Sequence, residues 1–170
     1  MTGRNVEIKA RLSDPDHTAS IVAQIADSGP VIIEQEDVFF NCSKGRLKLR
    51  TFSDKTGELI YYNRDSGSRP YECNYSIVKT SDPSLIHSIL TEALGIRGVI
   101  RKSRTLFMYG QTRIHLDDVD GLGKFIEIEV VLAAGQTTSE GINIAHSLMQ
   151  RLEISESDLI DAAYIDMLRK

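Results

Sequence analysis

Apolar and polar residues alternate along eight segments of the chain, a pattern typical of β-strands with one apolar and one polar face. In the first segment, apolar Val6 and Ile8 alternate with charged Glu7 and Lys9. Short turn sequences such as Asp120-Gly121-Leu122-Gly123 join several of the segments, which favours antiparallel neighbours. The predicted strands are residues 5–12, 32–40, 46–53, 58–64, 72–79, 99–109, 112–119 and 124–132.

Helix starts are marked by an aspartate that precedes a proline, at Asp14-Pro15 and at Asp82-Pro83. The aspartate caps free backbone N–H groups of the first turn, and the proline fits the first helical position. Gly29 and Gly95 predict the ends of the two helices. The predicted helices are residues 15–28, 83–94 and 139–152, and a last helix that starts at the Ser155–Asp158 capping box and ends near Leu168.

The order of these elements predicts a single α+β domain over residues 1–170. A chain of this length buries a sizeable core without a disulfide or metal staple. Eight antiparallel strands can close into a barrel, which removes exposed sheet edges. We therefore expect an eight-stranded antiparallel β-barrel with the helices packed outside.

Composition and charge argue against several classes of partner. The net charge of −4 gives no basic field that would predict binding to nucleic acid or to a membrane surface. No apolar run approaches the roughly 20 residues of a membrane span, and the N-terminus lacks the apolar core of a signal peptide. Cys42 and Cys73 lack the spacing of a zinc or redox site and are interpreted as reduced thiols. We predict a cytoplasmic protein.

The charged faces of the strands are sorted by sign. The segment RLKLR, residues 46–50, carries only bases, and the segment EIE, residues 127–129, carries only acids. For any single strand, a solvated outer face would explain the charges. In a closed barrel whose apolar faces meet outer helices, the charges would turn inward, and buried charges without a ligand are costly. The pattern therefore favours a water-filled lumen that binds a highly charged ligand.

These charges form the inventory of a phosphoryl-transfer site. Several bases together can bind a polyphosphate, and carboxylates are hard oxygen ligands for Mg²⁺ or Mn²⁺. Catalysis would come from positioning and charge neutralisation rather than from a nucleophile triad. The candidate phosphate ligands are Arg11, Arg46, Lys48, Arg50, Arg64, Lys102, Arg104 and Arg113. The candidate metal ligands are Glu7, Asp117, Glu127 and Glu129.

Four motifs, NVEIKARL, GRLKLR, RKSRTLF and RIHLDDVDGLGKFIEIEVVL, resemble the CYTH superfamily, also called the triphosphate tunnel metalloenzymes. The resemblance covers nearly the whole chain in motif order. It implies a tunnel in which bases grip a triphosphate and acids hold a divalent metal. The phosphate contacts that it implies are Lys9, Lys48, Arg50, Lys102 and Arg104, with Arg64 as a further match. The implied metal-side acids are Glu7, Asp117, Glu127 and Glu129.

The chain departs from the family signature at Asn5, which stands where the first glutamate of E-x-E-x-K would be. Asparagine still offers a carbonyl oxygen, so we expect either weaker binding of one metal or a site that relies on Glu127 and Glu129. The segment at residues 63–76 also lacks the lysine with which some family members contact phosphate. Either Arg69 substitutes for it or this contact is absent.

Two other polar groups are interpreted as structural. His115 lies on a strand amid charges and is expected to be a hydrogen-bonding support rather than a catalytic base. The acidic run of Glu34, Glu36 and Asp37 is expected at the surface, with a loop that gates the tunnel as the alternative. Neither group is counted among the predicted site residues.

The favoured function is a metal-dependent triphosphatase that hydrolyses tripolyphosphate or a small organic triphosphate, such as thiamine triphosphate or a nucleoside triphosphate. Its predicted catalytic residues are Glu7 and Lys9, and Lys9 either grips phosphate or acts as a general base. Two alternatives stay open: a class IV adenylate cyclase that makes cyclic AMP and pyrophosphate from ATP, and a module that binds polyphosphate or nucleotide without turnover. The expected cofactor is Mg²⁺ or Mn²⁺ and the expected partner is a small triphosphate, with a homodimer suggested by analogy alone.

Overall fold

The structure is a computed structural model that describes residues 2–64 and 70–168, apart from the side chain of Arg64. Its strands are β1 (Thr2–Arg11), β2 (Ser28–Phe40), β3 (Arg46–Phe52), β4 (Gly57–Arg64), β5 (Tyr71–Thr80), β6 (Ile96–Tyr109), β7 (Thr112–Val119) and β8 (Gly123–Val131). They form one closed barrel in the order β1-β5-β4-β3-β2-β6-β7-β8, and every neighbouring pair is antiparallel. The predicted eight-stranded antiparallel barrel is confirmed.

The helices are α1 (Pro15–Ile25), α2 (Pro83–Leu94), α3 (Thr138–Arg151) and α4 (Tyr164–Met167), with a 3₁₀ turn at Glu156–Asp158. The first two begin as predicted. Asp14 accepts a hydrogen bond from the backbone N–H of His17, and Asp82 accepts one from Leu85, both at 3.0 Å. None of the helices in the described part of the chain is long and apolar enough to cross a membrane.

On several strands, alternation sends apolar side chains outward and charged ones inward. On β1, Val6 and Ile8 are 0% and 3% exposed and belong to the core that contains Leu148 of α3. Glu7 and Lys9, on the opposite face, line the interior of the barrel. The main apolar core therefore lies between the barrel wall and the outer helices, which leaves the lumen to the charged side chains.

The first helix ends three residues earlier than predicted. We expected it to continue to about Ser28, but it stops at Ile25 and β2 begins at Ser28. The backbone N–H of Asp27 donates to the carbonyl of Met108 on β6 at 2.8 Å. Pairing with β6 therefore replaces the last helical turn.

The predicted C-terminal helix from Ser155 to Leu168 is wrong. Its capping box exists but starts only the 3₁₀ turn, after which the chain extends and Leu159 pairs with Ala10 at the end of β1. The N–H of Ile160 donates to the carbonyl of Lys9 at 2.9 Å. Sheet pairing to β1 thus interrupts the helical pattern, and only the short α4 follows.

The helix α4 closes one end of the barrel. Tyr164 and Ile165 are 6% and 1% exposed and pack with Phe125 of β8 and Ile100 of β6. A glycine allows the close approach to β6, because a Cβ atom at Gly98 would lie 2.4 Å from Cδ1 of Ile165 and would displace the end of that side chain. We call the end that α4 covers the closed end of the barrel.

Candidate active site

A cavity of about 440 Å³ occupies the barrel interior above α4. This volume lies within the range of roughly 300–1,000 Å³ of small-ligand sites in proteins. Ala163 and Tyr164 contribute to its lining at the closed end, and the rest of the lining comes from the inward faces of the strands. Its charged lining residues are Glu7, Lys9, Asp37, Lys48, Arg50, Glu58, Lys79, Lys102, Arg104, Arg113, Glu127 and Glu129.

The first basic group lies on β3 and is held by an acid of β2. The Nζ of Lys48 is 2.7 Å from Asp37 Oδ2, and Arg50 donates from Nε and Nη2 to the two oxygens of Asp37 at 2.8 and 3.1 Å. The carboxylate is 3% exposed, and burial alone would raise its pKa. The charges of Arg50 and Lys48 outweigh burial and hold the pKa of Asp37 well below its usual value. Asp37 is therefore a permanent anion that orients two cations.

The second basic group lies on β6 and is held by an acid of β7. Lys102 Nζ is 2.7 Å from Asp117 Oδ2, and Arg104 binds both Asp117 oxygens at 2.6 Å. Tyr164 donates its hydroxyl to Asp117 at 3.0 Å. Burial and the neighbouring Arg104 charge lower the pKa of Lys102 to about 8, against the pull of Asp117. The two groups place four cations on β3 and β6, on either side of β2, and we call these four residues the basic wall.

Three of the four predicted acids, Glu7, Glu127 and Glu129, gather on the opposite side, on β1 and β8. The register pairs Glu7 with Glu129 and Lys9 with Glu127 across these two strands. The next strand pairs His115 with Glu127. Among the described residues, His115, Glu127 and Glu129 offer ligand atoms that lie within 4.8 Å of one another. We call these three residues, together with Glu7, the acidic wall.

Glu7 is the acid whose charge is least compensated. Burial and the charges of Glu129 and Glu127 raise its pKa to about 7, although Lys9 and a hydrogen bond from Asn5 act in the opposite direction. By contrast, Lys9 and Arg104 outweigh burial and keep the pKa of Glu127 well below its usual value. Adding one more positive charge near Glu7 would relieve this repulsion.

Two unpaired polar atoms show that the acidic wall suits a divalent cation. Asn5 Oδ1 and His115 Nδ1 are buried and have no hydrogen-bond partner. Asn5 and His115 are 2% and 5% exposed, and such orphaned atoms are rare in folded proteins. Carboxylate and amide oxygens are the ligands that Mg²⁺ and Mn²⁺ prefer. The residues present therefore fit the predicted metal cofactor.

Lys9 lies between the two walls. Its Nζ is 2.9 Å from Glu127 Oε1 and 3.9 Å from the centre of the Tyr164 ring. Both contacts hold the amine at a fixed place beside the acidic wall. The two predicted roles of Lys9, phosphate grip and general base, both stay predictions.

The structure does not bring every predicted ligand to the cavity. Arg11 is exposed, donates to the carbonyl of Leu122 at 3.1 Å and lies over the Phe125 ring. Arg46 pairs with Asp166 of α4, and neither arginine lines the cavity. Asp117 also lies behind the lining, where Lys102, Arg104 and Tyr164 use its oxygens, so this placement supports an orienting role rather than a metal-binding one.

The remaining predicted base, Arg113, lines the cavity and donates to Glu129 at 2.8 Å. The side chain of Arg64 and the whole of Arg69 lie outside the described residues, so their predicted contacts stay predictions.

The sequence analysis missed Asp37 and Tyr164. The surface interpretation is wrong for Asp37, which is 3% exposed, whereas Glu34 is exposed. Alternation places Gln35 and Asp37 on one face of the strand and Glu34 and Glu36 on the other. Because both faces are polar, the pattern alone could not show which face turns into the barrel. Tyr164 reaches the site through the fold of the C-terminal segment, for which no local pattern exists.

On the strands β2, β3 and β6, the inward face becomes apolar beyond the basic wall, on the side away from α4. Ile33, Phe52 and Leu106 line the cavity there. They lie two residues from Gln35 on β2, from Arg50 on β3 and from Arg104 on β6, respectively. Each is therefore the next inward-facing position of its strand. We call these three residues the apolar rim.

Comparisons with known proteins agree with this architecture. The CYTH domain model matches residues 3–164. A Methanocaldococcus jannaschii protein provisionally named an adenylate cyclase is 25% identical over 173 residues, which cover 95% of this chain and 97% of that protein. The structure of the PH1012 protein from Pyrococcus horikoshii superposes with a TM-score of 0.85 and 25% identity over 95% of this chain and 98% of its own.

A more distant structure has the same fold. It is a candidate adenylyl cyclase from Hippeastrum that is described as having a dominant triphosphatase activity. It superposes with a TM-score of 0.69 and 16% identity, covering 97% of this chain and 95% of its own. Because the family match spans all eight strands and both walls of the cavity, this chain belongs to the CYTH domain family.

Proposed function

We propose that this protein is a divalent-metal-dependent triphosphatase that hydrolyses a small organic triphosphate in the barrel cavity. The observation that carries the proposal is one cavity of about 440 Å³ with a basic wall on one side and an acidic wall on the other. CYTH domain proteins are typically triphosphatases or adenylate cyclases, and the Hippeastrum protein shows that the fold can support a dominant triphosphatase activity.

The basic wall is suited to bind phosphate without losing its internal partners. A guanidinium carries five N–H donors. Asp37 takes the Nε and Nη2 directions of Arg50, which leaves further donors for a phosphate oxygen. Asp117 holds Arg104 in the same two-point manner. The two buried aspartates therefore fix the orientation of the arginines before the substrate arrives, which lowers the entropic cost of binding.

The acidic wall is suited to the attacking side of the reaction. Glu127, Glu129 and Glu7 would hold the divalent cation, which neutralises phosphate charge and acidifies a bound water. Of these residues, Glu7 is the acid least compensated by a base, so it would gain most from the positive charge of the cation. Lys9 would hold a phosphate oxygen next to Glu127, and developing charge on the leaving group would meet the guanidinium groups of the basic wall.

Replacing Arg50 by alanine should raise KM or lower kcat/KM by about 10- to 100-fold, since a charged hydrogen bond is worth roughly 1.5–3 kcal/mol. Steady-state phosphate release at saturating Mn²⁺ measures this effect. The control is Lys55→Ala, which removes an exposed base at the turn after β3 and should leave the kinetics unchanged. Equal kinetics for both variants would remove Arg50 from the substrate site.

The apolar rim favours an organic triphosphate over inorganic tripolyphosphate. An all-phosphate ligand gains nothing from Ile33, Phe52 and Leu106, whereas an organic group would bury apolar surface against them. We therefore place the phosphates at the basic wall and the organic group at the rim.

Substituting Ile33 by serine should raise KM for an organic triphosphate about 10-fold and leave KM for tripolyphosphate unchanged, because roughly 1–2 kcal/mol of apolar contact is lost. The neighbouring variant Ile32→Ser is a matched control, since Ile32 is 70% exposed and lies on the outer face of the same strand. The rim assignment fails if Ile33→Ser changes KM for both substrates to the same extent.

A product assay tests the proposed function itself. Purified protein with Mg²⁺ or Mn²⁺ would be offered ATP, thiamine triphosphate and tripolyphosphate separately, with orthophosphate, pyrophosphate and cyclic AMP measured. Orthophosphate from an organic triphosphate is the expected result. Cyclic AMP with matching pyrophosphate would establish instead the cyclase suggested by the name of the Methanocaldococcus relative. Binding without any product would favour the module without turnover.

A further inference from the structure

Resting on the proposed function, we infer that His115 is a nitrogen ligand of the catalytic cation and that the site therefore selects Mn²⁺ over Mg²⁺. The ligand atom is Nδ1, with Glu127 and Glu129 as its oxygen partners. This assignment replaces the purely supporting role that the sequence suggested for His115.

The first observation is the unpaired ring nitrogen. His115 is 5% exposed, and its Nδ1 is buried with no hydrogen-bond partner. A buried polar atom without a partner costs free energy, so it is retained only where a function or a ligand compensates. The imidazole also lines the cavity instead of packing into the apolar core.

The second observation is the spacing of the ligand atoms. His115 Nδ1 lies 3.6 Å from Glu129 Oε1 and 4.0 Å from Glu127 Oε2. Both separations exceed hydrogen-bond length. Two atoms that each bind a cation at about 2.1 Å are roughly 3–4 Å apart, depending on the angle at the metal. Both distances from His115 fall in this range, and the three ligand atoms lie within 4.8 Å of one another.

The other contacts of the carboxylates are consistent with this geometry. Arg113 binds Oε2 of Glu129, which leaves the Oε1 atom on the side of His115. Lys9 binds Oε1 of Glu127, while Oε2, the atom nearer His115, is shared with Arg104. Each carboxylate thus has one oxygen directed to His115, and its contact with a base fixes the orientation of the group.

The nitrogen ligand decides the class of metal. Mg²⁺ demands oxygen ligands and keeps much of its water, whereas imidazole suits first-row transition metals. A site of one imidazole and several carboxylates therefore favours Mn²⁺ over Mg²⁺. The amide oxygen of Asn5 is neutral where the family signature carries a glutamate, which further reduces the attraction for the harder ion.

Electron spin echo envelope modulation of bound Mn²⁺ tests the assignment directly. The wild-type protein should show modulation from a directly bound nitrogen that changes when histidine is labelled with ¹⁵N. His115→Gln should lose it, and the exposed control His146→Gln should keep it. If His115→Gln does not fold, a variant that keeps His115 but replaces His17, His87 and His146 by glutamine should still show the signal.

Competition of Mg²⁺ against Mn²⁺ gives a second readout. We expect Mn²⁺ to bind at least 10-fold more tightly than Mg²⁺ in the wild type and this ratio to fall in His115→Gln. Bound Mn²⁺ without nitrogen modulation would overturn the ligand assignment and leave the triphosphatase proposal standing. Nitrogen modulation in a protein that hydrolyses no triphosphate would support the ligand assignment and overturn the triphosphatase proposal. No binding of Mn²⁺ at all would overturn both.

Discussion

Replacing Arg104 by alanine is expected to lower kcat/KM at least 100-fold and to destabilise the protein by about 3–5 kcal/mol. Arg104 is 4% exposed, binds both oxygens of Asp117 and also contacts Glu127. Removing it leaves the buried carboxylate of Asp117 with Lys102 and Tyr164 as its remaining side-chain partners among the described residues. It also takes a cation from the centre of the basic wall. Urea unfolding and steady-state kinetics measure the two effects separately.

Arg101 provides a matched control three residues earlier on the same strand. Its side chain is 64% exposed and pairs with Glu36 on the outer surface. An exposed ion pair contributes at most about 1 kcal/mol, so Arg101→Ala should change stability little and kinetics not at all. Similar losses in both variants would show that the inward face of β6 has no special role. A stability loss in Arg104→Ala without a kinetic loss would restrict Arg104 to a structural function.

Replacing Glu7 by glutamine should stabilise the metal-free protein, and increasingly so as the pH rises. Burial and the charges of Glu129 and Glu127 raise the pKa of Glu7 from 4.5 to about 7 in the folded state. Below pH 4.5, Glu7 is protonated in both the folded and the unfolded chain, so the variant gains nothing. Between pH 4.5 and 7 the unfolded chain releases this proton first, so the wild type loses stability. Above pH 7 the difference should reach about 3 kcal/mol, at about 1.4 kcal/mol for each pH unit between the two pKa values.

The measurement is urea unfolding of both proteins in a chelator at pH 5, 6, 7 and 8. The variant Glu34→Gln, at an exposed acid, serves as a control that should follow the wild type at each pH. Adding Mn²⁺ should narrow or reverse the advantage of Glu7→Gln, since the wild-type carboxylate then has a counter-charge. A difference that is the same at every pH would show that Glu7 is not held near the other two glutamates. It would therefore also remove Glu7 from the acidic wall.

The sequence predicted most of the fold because local patterns were sufficient for it. Strand alternation fixes which face of each strand is apolar, and this pattern placed seven of the strands within a few residues of their observed ends. The second strand begins four residues before its predicted start, and the helix before it ends early, because pairing with β6 competes with the last helical turn. The helix predicted for the C-terminal segment is wrong for the same reason, because pairing of Leu159 with Ala10 replaces the helix there.

For the site too, alternation predicted some of the residues correctly and could not predict others. Alternation within single strands brought Glu7, Lys48, Arg50 and Glu129 to one lumen, because inward-facing positions on neighbouring strands share a closed interior. The pattern could not distinguish Arg11 from Lys9, although both have the same phase. Arg11 lies at the end of β1, where Leu122 and Phe125 take its side chain out of the cavity.

The sequence by itself therefore determined the strands, the sign of each strand face and the family. Only the tertiary structure decided which charges meet. It placed Asp37 and Asp117 against the arginines as orienting anions, and it left His115 Nδ1 without a hydrogen-bond partner beside Glu129. The physical reason is that periodicity is a property of one strand, whereas an ion pair or a metal site depends on the register between strands. Barrel closure and the fold of the C-terminal segment set that register, and both are properties of the whole chain.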